Sequence, residues 1–334
     1  MADAIGIIGL GIMGSAYARN LRKAGLEIVG CDVDDTRFAA LTDTGLTRAG
    51  SPAEVVAKVD RIITSLPDAK AFAKVTAEIA KTGRPVVIAD TCTLTVAEKE
   101  VGRAALEGAG AVLLDCPVGG TGTQAAKGDL VIFGSGDAAA FEKIRPVFEK
   151  MSRVVHYLGG FGKGSAMKFI HNLLVTIHDC AAAEAFALGG KAGIELQTVY
   201  DVIRTSAGTS RIFEVRGPMM VSGDYDTNIS AKLQLLLKDI DCISAHARDA
   251  ACPTPVFSLA ADLHRAAAAQ GLCAVRPGGR LPGDRGAGGD RAGTGVRSTR
   301  CRPTLALLQV SSCIDRSGQT RNGVLPDPRI PSRP

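Results

Sequence analysis

Residues 5–21 read IGIIGLGIMGSAYARNL, and this stretch constrains the chain more than any other. An apolar run from Ile5 to Leu10 feeds into Gly9-x-Gly11-x-x-Gly14 and then into a helical pattern. Strand, glycines, helix is the order that a dinucleotide pyrophosphate requires. Gly9 suits the tight turn, Gly11 lets the backbone approach the phosphates, and Gly14 lets the helix lie close to the strand. Leu10, Ile12 and Met13 complete the loop. The free N–H groups and macrodipole of the helix start favour negative charge there. The next apolar strand, Glu27 to Cys31, ends at Asp32. That is the spacing of about 20 residues expected for a carboxylate that bonds the ribose hydroxyls. Asp32 would repel a 2′-phosphate, and Val33 beside it offers no guanidinium, so NAD is expected in preference to NADP.

A chain of 334 residues has room for two domains and a large core. Neither a charged-then-apolar leader nor an apolar run of bilayer-spanning length stands out, so no membrane is expected as a partner. Nine cysteines are scattered singly without a CxxC pair. Beside a nucleotide fold they read as reduced thiols in a cytoplasmic enzyme. The net charge of +5 is unevenly spread. Residues 272–334 hold 11 Arg and 4 Asp with neither Lys nor Glu, a net of +7, and residues 1–271 hold 28 basic and 30 acidic side chains. The body is nearly neutral, and nothing in it suggests nucleic acid.

From 1 to 161 the pattern alternates strand and helix. Strands are expected at 4–9, 27–31, 61–65, 86–89, 112–115, 130–134 and 154–158, with a capped helix opening at Ser51-Pro52-Ala53-Glu54. Such alternation implies a mostly parallel sheet with helices on both faces. From 162 to 271 the texture is helical. Residues 164–193 hold no proline and carry apolar residues at helical spacing, and further helices are expected at 196–206, 210–221, 230–249 and 254–270. Ser210 and Ser230 suit N-caps and Pro255 a first turn. The expected fold is α/β: a Rossmann dinucleotide-binding domain, then an all-helical domain led by one long interdomain helix. From 272 to 334 the periodicity fails, and the segment is rich in Arg, Gly and Pro. It reads either as a disordered basic tail or, preferred here, as the product of a frameshift in a GC-rich gene. A one-base shift across 275–286 can encode a helix-like string, and Lys and Glu vanish abruptly at this point.

Four further blocks carry chemistry. Leu66-Pro67 and Asp90-Thr91-Cys92-Thr93 follow apolar strands, where ligands of open α/β sheets bind, although each also suits an ordinary turn. Asp115-Cys116-Pro117-Val118-Gly119-Gly120-Thr121-Gly122-Thr123-Gln124 follows another strand and offers backbone N–H groups and hydroxyls to a carboxylate. Gly162-Lys163-Gly164 opens the long helix, on which Lys168 and Asn172 are i, i+4 and share a face. Near the positive end of the helix, and partly desolvated beside an oxidised nicotinamide, Lys168 would have a lowered pKa and serve as general base for a hydroxyl. Lys238-Asp239 lies in the helix expected from Ser230, whose Leu233, Leu236, Leu237 and Ile240 would face the core. His171 and His178 are i, i+7 without a carboxylate pair, which does not suggest a metal site.

Together these blocks resemble the β-hydroxyacid dehydrogenase family, the 3-hydroxyisobutyrate dehydrogenase type. Its G-L-G-x-M-G appears at Gly9 to Gly14, its D-x-P-V-S-G-G loop followed by G-x-L runs from Asp115 to Leu130, its G-x-G-x-x-x-K-x-x-x-N falls on Gly162, Gly164, Lys168 and Asn172, and its K-D pair on Lys238-Asp239. The resemblance covers about residues 1–270. It implies an NAD-dependent dehydrogenase of a small 3-hydroxy acid, usually a homodimer or homotetramer. Lys168 would take the hydroxyl proton and Asn172 would orient the lysine or substrate. Lys238 would help to close the site over the nicotinamide, and Val118, Gly119, Gly120, Thr121 and Thr123 would hold the substrate. Two departures stand out. The loop serine is Gly119, so carboxylate binding would rest on backbone N–H groups and Thr121 or Thr123. In this the loop resembles that of members acting on small sugar acids such as threonate, with a substrate more polar than hydroxyisobutyrate. The family's last helices are missing from the C-terminal segment. Two alternatives stay open: a non-catalytic nucleotide-binding remnant, and a glyoxylate or semialdehyde reductase using the same residues.

Overall fold

The computed structural model describes residues 4–223 and 233–269. Ser230 and the segment 272–334 lie outside the described residues.

Six parallel strands, β1 (Ala4–Ile8), β2 (Glu27–Cys31), β3 (Thr47–Arg48), β4 (Arg61–Thr64), β5 (Val87–Asp90) and β6 (Val112–Asp115), form one sheet in the order β3-β2-β1-β4-β5-β6. Each long strand is apolar along its length because both faces are covered. Neighbouring residues divide between the faces. Ile7, Ile28, Ile63, Ala89 and Leu114 pack in one core with Tyr17, Leu21, Phe141 and Phe148 from the helices Ile12–Lys23 and Ala138–Glu149. Ile8, Val29, Ile62, Ile88 and Leu113 pack in the other with Val55, Phe72, Val75 and Leu106. The strand order reverses between β1 and β4, which opens a crevice at their C-terminal ends.

The seven expected strands are present, with ends shifted by a residue at most. The last two do not join the main sheet. They form a second sheet with a short strand, in the order β7 (Val118–Gly119), β8 (Val131–Gly134), β9 (Val154–Tyr157), where β7 and β8 are antiparallel. Strands β3 and β7, two residues each, are too short to show a periodicity in the sequence.

The long helix runs from Lys163 to Lys191. By length and composition it could cross a bilayer, contrary to the sequence expectation, because an 18-residue stretch of it is apolar with at most two charged residues. Its apolar side chains are used in two cores. Phe169 packs with Ile240, Ile243 and Phe257 of the helices Leu233–Asp249 and Pro255–Ala267. Ala182 and Phe186 pack with Val199, Phe213 and Met220 of the helices Leu196–Ile203 and Arg211–Ser222. Packing therefore divides the described chain within the long helix, into 4–177 with 233–261 and 178–223 with 262–269. The texture of the sequence changes earlier, at 159–162. In the second unit Phe186 and Phe213 stack at 5.1 Å, and Arg216 pairs with the buried Asp179 at 2.6 Å. Ser51 and Ser210 cap their helices as expected, accepting from the N–H groups of Glu54 and Phe213.

Candidate active site

The glycine loop has the shape that a pyrophosphate needs. Gly9 has φ +93°, and a Cβ on it would lie 2.2 Å from the Ser65 carbonyl oxygen. A Cβ on Gly14 would lie 1.9 Å from the Gly9 carbonyl oxygen, so the helix can pass this close to the strand only over glycine. A Cβ on Gly11 would meet nothing, and Gly11 opens the helix without a side-chain cap. No side chain caps the first helical N–H groups, which fits a phosphate pair. Leu10 contributes backbone only: its side chain is buried, and its N–H donates to Asp32 Oδ2 at 2.6 Å. Asp32 Oδ1 accepts from the Asp34 N–H at 2.8 Å. Asp32 thus braces the loop while standing at the end of β2, where a ribose would arrive. Ile12 is exposed beside the loop and Met13 packs against the core. Leu66 and Pro67 follow β4, and the Leu66 N–H donates to the buried Cys92 thiol at 3.0 Å. Thr93 lies just beyond β5.

A buried ion cluster anchors the start of the long helix. Lys99 Nζ lies 2.7 Å from Asp115 Oδ1 and 2.9 Å from Asp90 Oδ2, and all three side chains are fully enclosed. Burial works to lower the Lys99 pKa, but Asp115 and Asp90 outweigh it and hold the ammonium well above its ordinary value. Asp115 also accepts from the Ser165 N–H at 2.7 Å and the Ser165 hydroxyl at 2.8 Å. Gly164 makes this docking possible, since a Cβ there would lie 2.3 Å from the Phe133 carbonyl oxygen and 2.6 Å from that of Asp115. One turn on from this anchor stands Lys168.

Lys168 is 8% exposed. Burial pulls its pKa down to about 8; the Asp239 carboxylate opposes this and the Lys238 ammonium reinforces it. Of the causes expected from the sequence, helix terminus, partial desolvation and nicotinamide charge, desolvation is thus the largest. Asn172, one turn further, donates from Nδ2 to Asp239 Oδ2 at 2.7 Å. Burial raises the Asp239 pKa, against the pull of Lys168, Lys238 and the Asn172 bond. Lys238 Nζ donates to the Thr93 carbonyl oxygen at 2.7 Å and lies 3.7 Å from Asp239 Oδ1. Asp239, which sequence reasoning did not place in the site, is therefore its hub. The K-D pairing was visible in the sequence, but its contact with Asn172 spans 67 residues. Leu236, Leu237 and Ile240 pack toward the core as expected; the side chain of Leu233 lies outside the described residues.

The loop after β6 completes the site. Val118 and Gly119 form β7, and a Cβ on Gly119 would lie 3.3 Å from His171 Nε2. Gly120 has φ +131°, and a Cβ there would strike Leu130 at 2.6 Å. Thr121 caps the short helix Gly122–Ala126: its N–H donates to Gln124 Oε1 at 3.0 Å, and its hydroxyl accepts from the Gln124 N–H at 3.4 Å. Its N–H is thus already used, and its hydroxyl proton is what it has left to offer a carboxylate. Thr123 is exposed on that helix. A Cβ on Gly122 would lie 2.5 Å from Ile12, so the loop rests beside the glycine motif. Polar contacts therefore link His171, Asn172, Asp239 and Lys238 to Thr93, with Gly119 packed close to the His171 ring.

Comparison with known proteins agrees with this geometry. Residues 4–159 match the NAD binding domain of 6-phosphogluconate dehydrogenase, and residues 162–274 the NAD-binding domain of NADP-dependent 3-hydroxyisobutyrate dehydrogenase. The chain is 34% identical to L-threonate dehydrogenase from Cupriavidus necator over 298 residues, 85% of this chain and 99% of that one. It is 32% identical to NAD-dependent L-serine dehydrogenase from Pseudomonas aeruginosa, covering 80% of this chain and 93% of that one. The crystal structure of 3-hydroxyisobutyrate dehydrogenase from Salmonella typhimurium superposes with a TM-score of 0.73 at 33% identity, covering 80% of this chain and 95% of that one. A Rossmann fold followed by a helical region led by a long helix, with these motifs in this order and these relatives, places the chain in the β-hydroxyacid dehydrogenase family of NAD(P)-dependent oxidoreductases.

Proposed function

We propose that this protein oxidises a small, polar hydroxy acid with NAD, and that Lys168 is the general acid/base. The observation that carries this reading is an enclosed lysine on the same helix face as Asn172, which is held by Asp239; burial pulls its pKa down to about 8. When bound, NAD accepts the hydride at C4 of its nicotinamide. Gly9, Gly11 and Gly14 with the backbone of Leu10, Ile12 and Met13 would cradle its phosphates, and Asp32 would take the ribose. Leu66, Pro67 and Thr93, which follow β4 and β5, would receive the nicotinamide half. Neutral Lys168 accepts the hydroxyl proton, returning it in the reverse direction. Asn172 is held by Asp239 and orients the hydroxyl. Lys238 is tied to the Thr93 carbonyl and would help to close the site over the nicotinamide. Backbone N–H groups of the Val118–Gly120 stretch and the hydroxyls of Thr121 and Thr123 receive the carboxylate.

The named activities of the relatives, on threonate and serine, support a substrate with a polar group besides the reacting hydroxyl. A homodimer or homotetramer is supported by exposed Met167, Ile170 and Leu174, which form one apolar stripe at helical spacing. Five of the six free thiols among the described residues are buried, which supports a cytoplasmic setting. The test is absorbance at 340 nm with threonate, glycerate, 3-hydroxyisobutyrate and 3-hydroxypropanoate, each with NAD and NADP, and with glyoxylate in the reducing direction. NADH formation from at least one hydroxy acid is expected. NADH binding without any turnover would replace the enzyme with a nucleotide-binding remnant.

A further inference from the structure

The enclosed side chains at the C-terminal ends of β5 and β6 do not balance in charge. Asp90 closes β5 and Asp115 closes β6. Lys99, from the helix Val96–Glu107, bridges them, and among the described residues no other cation pairs with either carboxylate. Besides Lys99, Asp115 accepts from the Ser165 N–H, the Ser165 hydroxyl and, at 3.3 Å, the Ser135 hydroxyl, which fixes it as a carboxylate. Asp90 Oδ1 accepts from the Thr64 hydroxyl at 2.7 Å, and Oδ2 stands beside the Lys99 ammonium without a hydrogen bond of its own. Two carboxylates and one ammonium leave one negative charge in surplus. The start of the long helix, whose Ser165 N–H meets Asp115, offsets part of the charge there. Asp90 shares the ammonium and otherwise meets the neutral Thr64 hydroxyl, so the surplus gathers on Asp90.

Asp90 stands between the two loops assigned above to the nicotinamide half. β4 ends beside it at Thr64 and continues into Leu66-Pro67, and β5 continues through Thr91 and Cys92 to Thr93. Cys92 joins the loops, its sulfur accepting from the Leu66 N–H. Burial pushes the Cys92 thiol well above its ordinary pKa; Asp90 adds to this, and Lys99 takes back less than Asp90 adds. The potential at this loop is therefore negative on balance. Lys238 and Asp239, the charged pair tied to the Thr93 carbonyl, lie 3.7 Å apart and offset each other. A negative potential distinguishes the two forms of the cofactor, because the nicotinamide ring carries a positive charge in NAD+ and none in NADH.

We propose that Asp90 is the counter-charge for the oxidised nicotinamide, so that the enclosed Asp90–Lys99–Asp115 cluster strengthens the binding of NAD+ relative to NADH. Lys99 sets the size of the bias by cancelling one of the two carboxylates. The inference rests on the NAD reading above, with the nicotinamide half at Leu66, Pro67 and Thr93.

The measurement is the ratio of the NAD+ and NADH dissociation constants, from the fluorescence of bound NADH and its displacement by NAD+. It is made at pH 9, where Lys168 is mostly neutral. Asp90→Asn removes the charge and keeps an acceptor for Thr64. It is expected to weaken NAD+ by about three- to tenfold and to leave NADH within about twofold. Lys99→Met doubles the surplus and is expected to move the ratio the other way. Thr64→Val takes a hydrogen bond from Asp90 without changing any charge, and its ratio is expected to stay near that of the wild type. Asp90→Asn and Thr64→Val decide the question by themselves where Lys99→Met is too unstable to purify. An unchanged ratio in Asp90→Asn, or an equal loss of both forms, would overturn the inference. So would Lys99→Met moving the ratio in the same direction as Asp90→Asn, or Thr64→Val matching Asp90→Asn, since packing would then account for the effect. The titrations need no hydroxy acid. A wild-type protein that binds both forms with the expected ratios and oxidises no acid would remove the hydroxy-acid reading and leave the counter-charge standing; one that binds neither form would overturn both.

Discussion

The role proposed for Lys168 predicts the pH dependence of turnover. A general base must be neutral to accept a proton. With a pKa of about 8, Lys168 is neutral in about one molecule in eleven at pH 7. A lysine at its ordinary value of about 10.4 would be neutral in roughly one in 2,500, so enclosure multiplies the reactive form about 200-fold. At saturating NAD, kcat/KM for the hydroxy acid should rise about tenfold per pH unit and level off above the inflection. The positive charge of the oxidised nicotinamide adds to that of Lys238, so the inflection falls at about 8 or below. Reduction of the oxo acid should show the opposite limb, because protonated Lys168 is then the acid.

The neighbours give the argument its sign. The Asp239 carboxylate favours the ammonium form, so Asp239→Asn, which keeps an acceptor oxygen for Asn172, should move the inflection to lower pH. Lys238 disfavours it, so Lys238→Gln should move the inflection up. Lys168→Ala should lose about 10²–10⁴ in kcat, with NADH affinity retained. The assay is absorbance at 340 nm from pH 6 to 10, with a primary deuterium isotope effect to confirm that hydride transfer limits the rate. A flat profile with a full isotope effect, an inflection that neither neighbour moves, or Lys168→Ala retaining more than about a tenth of the activity would refute the assignment.

Other consequences follow from the same geometry. NAD should exceed NADP in kcat/KM by at least about tenfold, because a 2′-phosphate would meet the Asp32 carboxylate; comparable values would point to Arg37, now paired with Asp34 at 3.1 Å, as a phosphate ligand. Lys99→Met should lower the unfolding free energy by about 3–5 kcal/mol in urea titrations, since two enclosed carboxylates lose their cation. It should also lower kcat, because Asp115 anchors Ser165 at the base of the Lys168 helix; wild-type stability in this variant would show that the cluster is not the anchor. For residues 272–334, which lie outside the described residues, limited trypsin digestion should trim the arginines first and leave a body ending near Gln270, and restoring the shifted reading frame should raise stability and activity together. A tail that resists trypsin, or whose removal lowers activity, would contradict the frameshift reading.

What could be read from the sequence was what short spacing encodes. Gly9 and Gly14 are recognisable because each answers a steric demand made within a few residues of itself or by the adjoining strand. The alternation of Ile7 with Ile8 and Ile62 with Ile63 between two cores likewise follows from the period of a strand. The Thr121-x-x-Gln124 capping box was equally local, yet its threonine was assigned to the substrate, because the same N–H and hydroxyl groups suit either task and only the closed box shows one of them taken. The illegible part of the site is made of long-range contacts between residues that look ordinary in isolation. Lys99 reads as a helix-surface lysine until Asp90 and Asp115 are seen to enclose it. Asp239 reads as half of a solvated pair until Asn172 reaches it across 67 residues.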